Sequence, residues 1–460
     1  MNSKRRGTTG CVRTIDTMKN QVIELYNNQG ALIERNAAGL FNLNRKAAFE
    51  RLQALPMPTL KDEAYLYCPL LDKMDVEWGV NLNRTKFGLK AEEMFHCAIP
   101  GIKATVAYML NDVWGGECDE IALGEGAFVT SMKAAWLNHR EIVEKYYGSV
   151  LHDEKDAFVA VNEVLVQDGV MIYVPKNKCV KVPLQVVNML WSGRDMMVVN
   201  RNLFVVEDGG ELQLIDCDHA MDMNRYFAIR MNEACVGEGA KFTYCTMEST
   251  EENVFNLRRF AVSAGRNSII NMSSFGIVCG ATRNHIEVDL NGEGAEVWLG
   301  GVLLASNSEK CENYTIIRHH VSNCTSNELY KYILDGEARA GFSGRIVVDH
   351  GAQKTVSYQT NRNVLLSDSA KVMGRPQLEI YADDVKCGHG ATTGMLDEMA
   401  IFYMRQRGIG LDEARMLLLQ AFASDVVSHI ENSALQDRLR LMIEKRLKGE
   451  GTSCVNCGKL

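Results

Sequence analysis

Residues 378–390 read LEIYADDVKCGHG. Leu378, Ile380 and Ala382 alternate with polar neighbours, the period of two that marks a half-buried strand. A strand held to the end of the stretch sets Asp383, Val385, Cys387 and His389 on one face, because side chains two apart point the same way. Gly388, between the thiol and the imidazole, lets a bulky group or a second backbone come close. The pair offers two soft-to-borderline donors. A four-coordinate iron or zinc site needs about four, so the rest must come from elsewhere in the chain or from another one. On residue chemistry alone, a cysteine and a histidine near a strand end are more often core filler and a hydrogen-bonded surface residue than ligands.

Upstream of this stretch the texture is that of short strands. β-type runs at 164–174, 204–215, 260–273, 285–304 and 344–348 are separated by Gly, Asn or Asp, and helical periodicity is nearly absent from about 158 to 394. Many short strands at even spacing mean a sandwich, a barrel or a solenoid. A region this long favours the solenoid, which grows by stacking rungs. The pattern shows no crisp repeat, so it leaves the choice open. Gly237/Gly239 and Gly292/Gly294 read as turns between strands.

Helices flank the strand region. Residues 18–55 look helical, with Ala48, Leu52 and Leu55 at i, i+4, i+7, and Pro56 and Pro58 end the element. A helix is expected over 131–147, after a short apolar run at 102–110. Beyond Gly394 the spacing predicts a helix over 395–407 stopped by Gly408. A second begins at Leu411 with a stripe of Ala414, Leu417, Leu418, Ala421 and Phe422. A third covers about 434–447. The division expected is an N-terminal extension without fixed structure (1–17), a helical or α/β domain (18–150), a strand core (151–390), a helical domain (391–450) and a flexible tail (451–460). Met18 offers a second candidate start.

The composition is that of ordinary globular material, 46% hydrophobic and 23% charged. A net charge of -8 argues against a general nucleic-acid binder. No apolar run reaches the ~18 residues of a membrane span, and the basic start has no apolar core of a secretory signal. Fourteen scattered cysteines without an export signal imply reduced thiols in a cytoplasmic compartment. The chain has no G-x-x-x-x-G-K-[ST] loop, no G-x-G-x-x-G and no nucleophile elbow, so nothing equips it to hydrolyse ATP or transfer hydride. His319, His320 and Cys324 form a second cluster, RHHVSNC, in a region of strand and loop where their spacing carries little. Cys454 and Cys457 make half of a zinc or redox spacing in the tail.

The words around the Cys–His pair are more specific. AQKT (352–355), Gln359–Thr360–Asn361, the leucines before Ser367–Asp368, Pro376 before LEI, ADDVKCGHGAT (382–392) and FYMRQRGI (402–409) together resemble the SufB/SufD family of iron–sulfur cluster assembly proteins. The resemblance is specific over about 320–430 and extends weakly to about 155. It implies a mostly β fold, a right-handed parallel β-helix flanked by helical domains. It also implies a scaffold subunit rather than an enzyme. SufB-type members tend to carry a glutamate beside the matching histidine and an N-terminal cysteine cluster; this chain has CGHG and no such cluster, which places it on the SufD side.

The resemblance further implies that Cys387 and His389 handle a nascent iron–sulfur cluster shared with a SufB-like paralogue. The C-terminal helices, including Arg405, Arg407, Leu418 and Phe422, would dock a SufC-like ATPase. A cysteine desulfurase system would supply sulfide indirectly, and the chain alone could homodimerise. Flavin is associated with complexes of the family, but no residue pattern here bears on it. Two other readings stand beside this one: a purely structural partner, and a β-helix polysaccharide lyase or hydrolase. The latter needs paired carboxylates flanking a sugar, for which Asp383–Asp384 is the only adjacent pair in the key stretch.

Overall fold

A computed structural model describes residues 12–71, 73–74, 76–84, 102–116, 118–151, 155–250 and 252–450. From residue 170 onward the chain winds between two sheets. The first carries Val170–Val174, Met196–Val206, Tyr226–Val236, Val254–Ala264, Ala281–Leu290, Lys310–His319, Arg339–Val348 and Lys371–Ile380. The second carries Leu184–Leu190, Glu211–Ala220, Lys241–Ser249, Ile269–Val278, Glu296–Ala305, Thr325–Leu334, Val356–Leu365 and Lys386–Gly394. Successive strands of each sheet pair in parallel, and the two sheets alternate along the chain. The result is a parallel β-solenoid of about eight turns, with helices on both sides.

Paired residues lie 26 to 32 positions apart, from Ala281 beside Phe255 to Lys371 beside Arg339. The repeat escapes a sequence search because its one fixed requirement is conformational. Seven of the eight passages from the first sheet to the second hold a left-handed residue: Asn177, Gly209, Gly239, Asn267, Gly294, Asn323 and Lys354, with φ between 50° and 75°; the last, 381–385, has none. Glycine and asparagine tolerate this region best. The N–H of this residue donates to the corner of the next turn, as from Gly209 to Glu238 O (2.7 Å), Asn267 to Glu293 O (2.9 Å) and Asn323 to Gln353 O (2.9 Å).

At the N-terminal end both sheets are extended by further strands, most of them antiparallel. Ala127–Ser131 pairs with Val170–Val174 and carries Glu120–Gly124 outside it. Thr105–Leu110 runs parallel to Leu184–Leu190 and carries Val113–Trp114 in antiparallel sense. The helices Val12–Asn36, Gly39–Ala54 and Ala157–Leu165 cover the outer face of the first sheet, where Leu52, Phe158 and Leu165 join one core with Phe227, Ile229 and Phe255. The helix Val12–Asn36 takes in the last residues of the stretch read as an extension.

Four helical expectations change. The element expected over 18–55 is two helices, Val12–Asn36 and Gly39–Ala54, and the helix Ala157–Leu165 stands where strand texture was expected from about 158. The helix expected over 131–147 is two helices, Met132–Asn138 and Arg140–Tyr146. His139 breaks it with φ -132° and ψ 38°. Its ring stacks on Phe128 at 4.0 Å and its Nε2 lies 2.6 Å from Glu120, contacts that outweigh one more helical turn. The helix Leu411–Val427 buries Ala414, Leu419, Ala423, Val426 and Val427, while Leu417 and Ala421 of the expected stripe are exposed. Three consecutive leucines widen the apolar arc, so spacing alone does not choose the face. The sheet chooses it: Leu419, Ala423 and Val426 share a core with Phe275, Val302 and Ile333. Glu398–Gln406 ends at a left-handed Gly408 (φ 88°), as the spacing predicts.

The corners are close-packed as well as repetitive. A Cβ on Gly292 would stand 1.9 Å from Arg266 N and 2.3 Å from Gly265 C, both backbone atoms that cannot swing aside. Gly292→Ala should therefore destabilise the solenoid by about 3 kcal/mol, the upper range for overpacking. Urea unfolding of both proteins checks this, and a loss under about 1 kcal/mol would show that the corner restacks.

Candidate functional site

The stretch 378–390 is not one strand. Leu378–Ile380 ends a strand of the first sheet, 381–385 turns the corner, and Lys386 opens a strand of the second sheet. Asp383 and Val385 therefore do not share a strand face with Cys387. The cause is the stacking of corners: Asp384 N–H donates to Gln353 Oε1 (2.9 Å) and Tyr381 N–H to Val348 O (2.8 Å), which fix the turn against the one before it. Asp383 and Asp384 are both exposed on this corner.

Cys387 and His389 do share a face, the inner one. In register, Cys387 stands beside Ser357 and His389 beside Gln359. Ser357 and Gln359 are buried in the solenoid interior, whereas the intervening Tyr358 is 49% exposed. Cys387 is half-buried, packed against a small cluster that includes Ile346, Val348 and Ala382, and burial pushes its thiol above the usual range. His389 is exposed because no further turn covers it. A Cβ on Gly388 would only reach ordinary contact with the Tyr358 ring at 3.4 Å, so the glycine is not forced by packing.

Behind the pair lie two inner columns. One runs Leu212, Phe242, Ile270, Val297, Ser326, Ser357, Cys387. The other runs Leu214, Tyr244, Met272, Leu299, Glu328, Gln359, His389. Both turn polar in the last three turns. Ser357 Oγ lies 2.6 Å from Ser326 Oγ, which lies 2.9 Å from His319 Nε2. The Gln359 amide donates to the Glu328 carboxyl. Burial pushes Glu328 up to about 7, with Gln359 and Thr315 holding it back. Sequence reading missed Ser326, Glu328 and Ser357. The signal that would have found them is the turn length of about 30 residues, applied backward from Cys387 and His389.

The second expected cluster is not one. His319 is buried in the interior, where burial lowers it to about 4. His320 sits on the outer corner, with Nδ1 2.7 Å from Asp349 and Nε2 3.0 Å from Asp289. Partial burial opposes its charge, but the two carboxylates outweigh that and raise it. Cys324 points its thiol at Gly292 O, 3.3 Å away. Of the C-terminal residues, Arg407 bonds Tyr403 OH (2.9 Å), and Arg405 is exposed in the last turn of its helix. Leu418 and Phe422 are half-buried. Lys331 Nζ lies 4.7 Å over the Phe422 ring and donates to Phe422 O at 2.7 Å, pinning that helix to the strand that also bears Glu328. Cys454 and Cys457 lie outside the described residues. Among the described residues, no group of three or more His, Cys, Asp or Glu side chains could hold a metal ion. No helix there is long and apolar enough to cross a membrane.

Residues 189–422 match the family described as SUF system FeS cluster assembly, SufBD core domain, and residues 16–186 match the SufBD protein N-terminal region. The chain belongs to the SufBD family. It is 27% identical over 416 residues to an iron–sulfur cluster assembly SufBD family protein of Synechocystis, covering 87% of this chain and 90% of that one. It is 38% identical over 167 residues to the iron–sulfur cluster assembly protein SufD of Escherichia coli, 36% of this chain and 40% of that one. The SufD of Bacillus subtilis is 28% identical over 330 residues, 70% and 75% of the two chains. As a SufBD family member the chain is an iron–sulfur cluster assembly protein, of a scaffold family rather than a lyase or hydrolase.

Glu328 gives the site a pH signature. Its folded value of about 7 lies above the ordinary 4.5. Between these values the folded state holds a proton that the unfolded state has lost, so stability falls as pH rises through this window. The contribution is about 3 kcal/mol between pH 4 and 8. Glu328→Gln should remove that increment, so that the variant gains on wild type in urea unfolding at pH 8 relative to pH 4.5. Parallel pH profiles for the two proteins would show that Glu328 ionises normally.

Proposed function

We propose that this chain is a SufD-like subunit that contributes Cys387 and His389 to a nascent cluster shared with a SufB-like paralogue. One observation carries the reading: the two donors stand on the inner face of the last turn, and that turn is open. Lys371–Ile380 and Lys386–Gly394 are each the terminal strand of their sheet. An edge of this kind offers a row of unpaired backbone groups ready for another chain. Met373, Ile380 and Tyr381 are exposed along it. A partner solenoid that extends both sheets would seal the edge and bring its own donors to face Cys387 and His389, completing a set of about four. The cluster is cargo, held until it is passed on.

The helix Glu398–Gln406 is the docking platform in this reading. Met395, Met399, Phe402 and Tyr403 are exposed at its start and along it, a contiguous apolar face beside Arg405 and Arg407. A SufC-like ATPase seated there, reaching Leu418 and Phe422, would act on the solenoid through the Lys331 anchor. ATP hydrolysis belongs to that partner, and sulfide reaches the site through a desulfurase acting on the paralogue. Without the paralogue, a second copy of this chain can cover the same edges.

Anaerobic co-expression with SufB-like and SufC-like partners, followed by iron, sulfide and visible-absorbance assays, tests the reading. The wild-type complex should carry a cluster and His389→Ala should lose most of it, with complex formation unchanged. A His389→Ala complex with full cluster content would make this chain a structural partner only.

A further inference from the structure

We propose that Gln359, held by Glu328, is the positioning residue of His389, its carbonyl oxygen accepting the imidazole N–H that a bound iron leaves over. The inference rests on the cluster-site reading above and adds two residues to it.

The first argument is the switch of character along the column. Leu214, Tyr244, Met272 and Leu299 fill it with apolar side chains, and then Glu328 and Gln359 occupy the same inward positions. Glu328 is 0% exposed and Gln359 1% exposed. Burying a carboxyl and an amide costs stability unless every polar atom is used. The column shows that stacking does not require a carboxyl or an amide, since upstream the same positions hold Leu214, Tyr244, Met272 and Leu299. Polar groups that the fold does not require collect where function requires them.

The second argument is an unused acceptor. Gln359 Nε2 donates to Glu328, but Gln359 Oε1 is buried and has no hydrogen-bond partner among the described residues. The next inward side chain in register is His389. Adjacent strands stand about 4.8 Å apart, so the amide and the ring are neighbours. Metal-bound histidines nearly always donate their second N–H to a carboxylate or a carbonyl, which fixes the ring and raises its basicity as a ligand. Gln359 Oε1 is a carbonyl waiting for that proton, and Glu328 keeps the amide from turning over.

The third argument is the room made for this amide. A Cβ on Gly344, in the facing sheet, would stand 2.2 Å from Gln359 Nε2 and 2.7 Å from its Cδ. The preceding position of that column is Thr315 and the following one Pro376. The interior narrows to a glycine where the amide needs space.

The test compares variants within the complex with SufB-like and SufC-like partners, purified anaerobically and assayed for iron, sulfide and visible absorption. Gln359→Met keeps the volume and removes the acceptor; it should lower cluster content about tenfold, the low end for loss of an outer partner. Glu328→Leu extends the aliphatic column and should leave the melting temperature equal or higher while lowering cluster content in the same way. A merely structural role would not give that combination. Glu328→Gln still accepts from the Gln359 amide and should retain the cluster. Should Gln359→Met fail to fold, Glu328→Leu decides alone. Wild-type cluster content in Gln359→Met and Glu328→Leu, beside loss in His389→Ala, would make the two residues interior filler and overturn the proposal. Retention in His389→Ala would overturn the site reading and this inference with it.

Discussion

The parallel ladder between successive turns is the constraint on which everything else rests. Each long strand after residue 170 satisfies its backbone through strands about 30 residues away, so the fold is built from backbone hydrogen bonds that do not specify side chains. What the side chains must supply is narrow: an inward file that fills the space between the sheets, and, at seven of the eight corners into the second sheet, a residue that accepts positive φ. The file Phe204, Ala234, Val262, Val288, Ile317, Ile346, Leu378 meets the first demand from end to end with residues of different size. Different sizes are allowed because neighbouring positions compensate, as Gly301 does for the Tyr330 ring of the next turn, which would lie 2.5 Å from a Cβ at that position.

That narrowness explains what could be read and what could not. Strand character was legible from Val170 onward because alternation survives any rung length, whereas 157–165, also read as strand texture, is a helix whose residues are almost all buried and so show no helical period. The solenoid itself was favoured only by length and resemblance, because turns of 26 to 32 residues blur a periodic search. The corners at Gly237–Gly239 and Gly292–Gly294 were legible because glycine marks them, whereas Lys354 at the equivalent place carries no signal. The break in 378–390 was hidden for the same reason. Nothing in YADDV announces a corner until the previous corner, at Ala352–Lys354, is known to lie beneath it. Cys387 and His389 were legible as a pair, since spacing by two survives the corner. Their partners Gln359 and Glu328 were not, since register across turns is invisible in one sequence.

Buried polarity separates two parts of the interior. In the middle turns, charge is matched internally: Arg230 Nη1 lies 2.7 Å from Asp218 Oδ1, Arg258 also bonds Asp218, and Tyr244 OH donates to Asp216 at 2.7 Å. Each charge in this set has an opposite charge beside it, and removing one member would strand the others. The last three turns are different. Glu328 has no cation beside it, only an amide and a hydroxyl. Matched charges stabilise a fold, whereas a buried carboxyl without a cation beside an exposed end costs stability that the fold alone does not explain.

The path of the chain after Gly394 supports the same conclusion. A solenoid protects its ends with caps, because a terminal turn otherwise exposes both its interior and its strand edges. Here the first end is covered by antiparallel strands. At the other end sequence for a cap was available, three helices immediately downstream, yet two of them fold back along the outer face of the second sheet. Leu411–Val427 lies against Glu296–Ala305 and Thr325–Leu334, and Ser433–Leu447 against Ile269–Val278, progressively further from the last turn. Specific bonds hold them there: Lys331 to Asp425, Trp298 stacked on His429 at 3.6 Å, and Arg446 bonded to Glu309 at 2.8 Å. Each of these anchors would be lost if the helices moved over the end. The open turn is thus a stable outcome of the packing, and the exposure of His389 follows from where the helices are tied, several turns away.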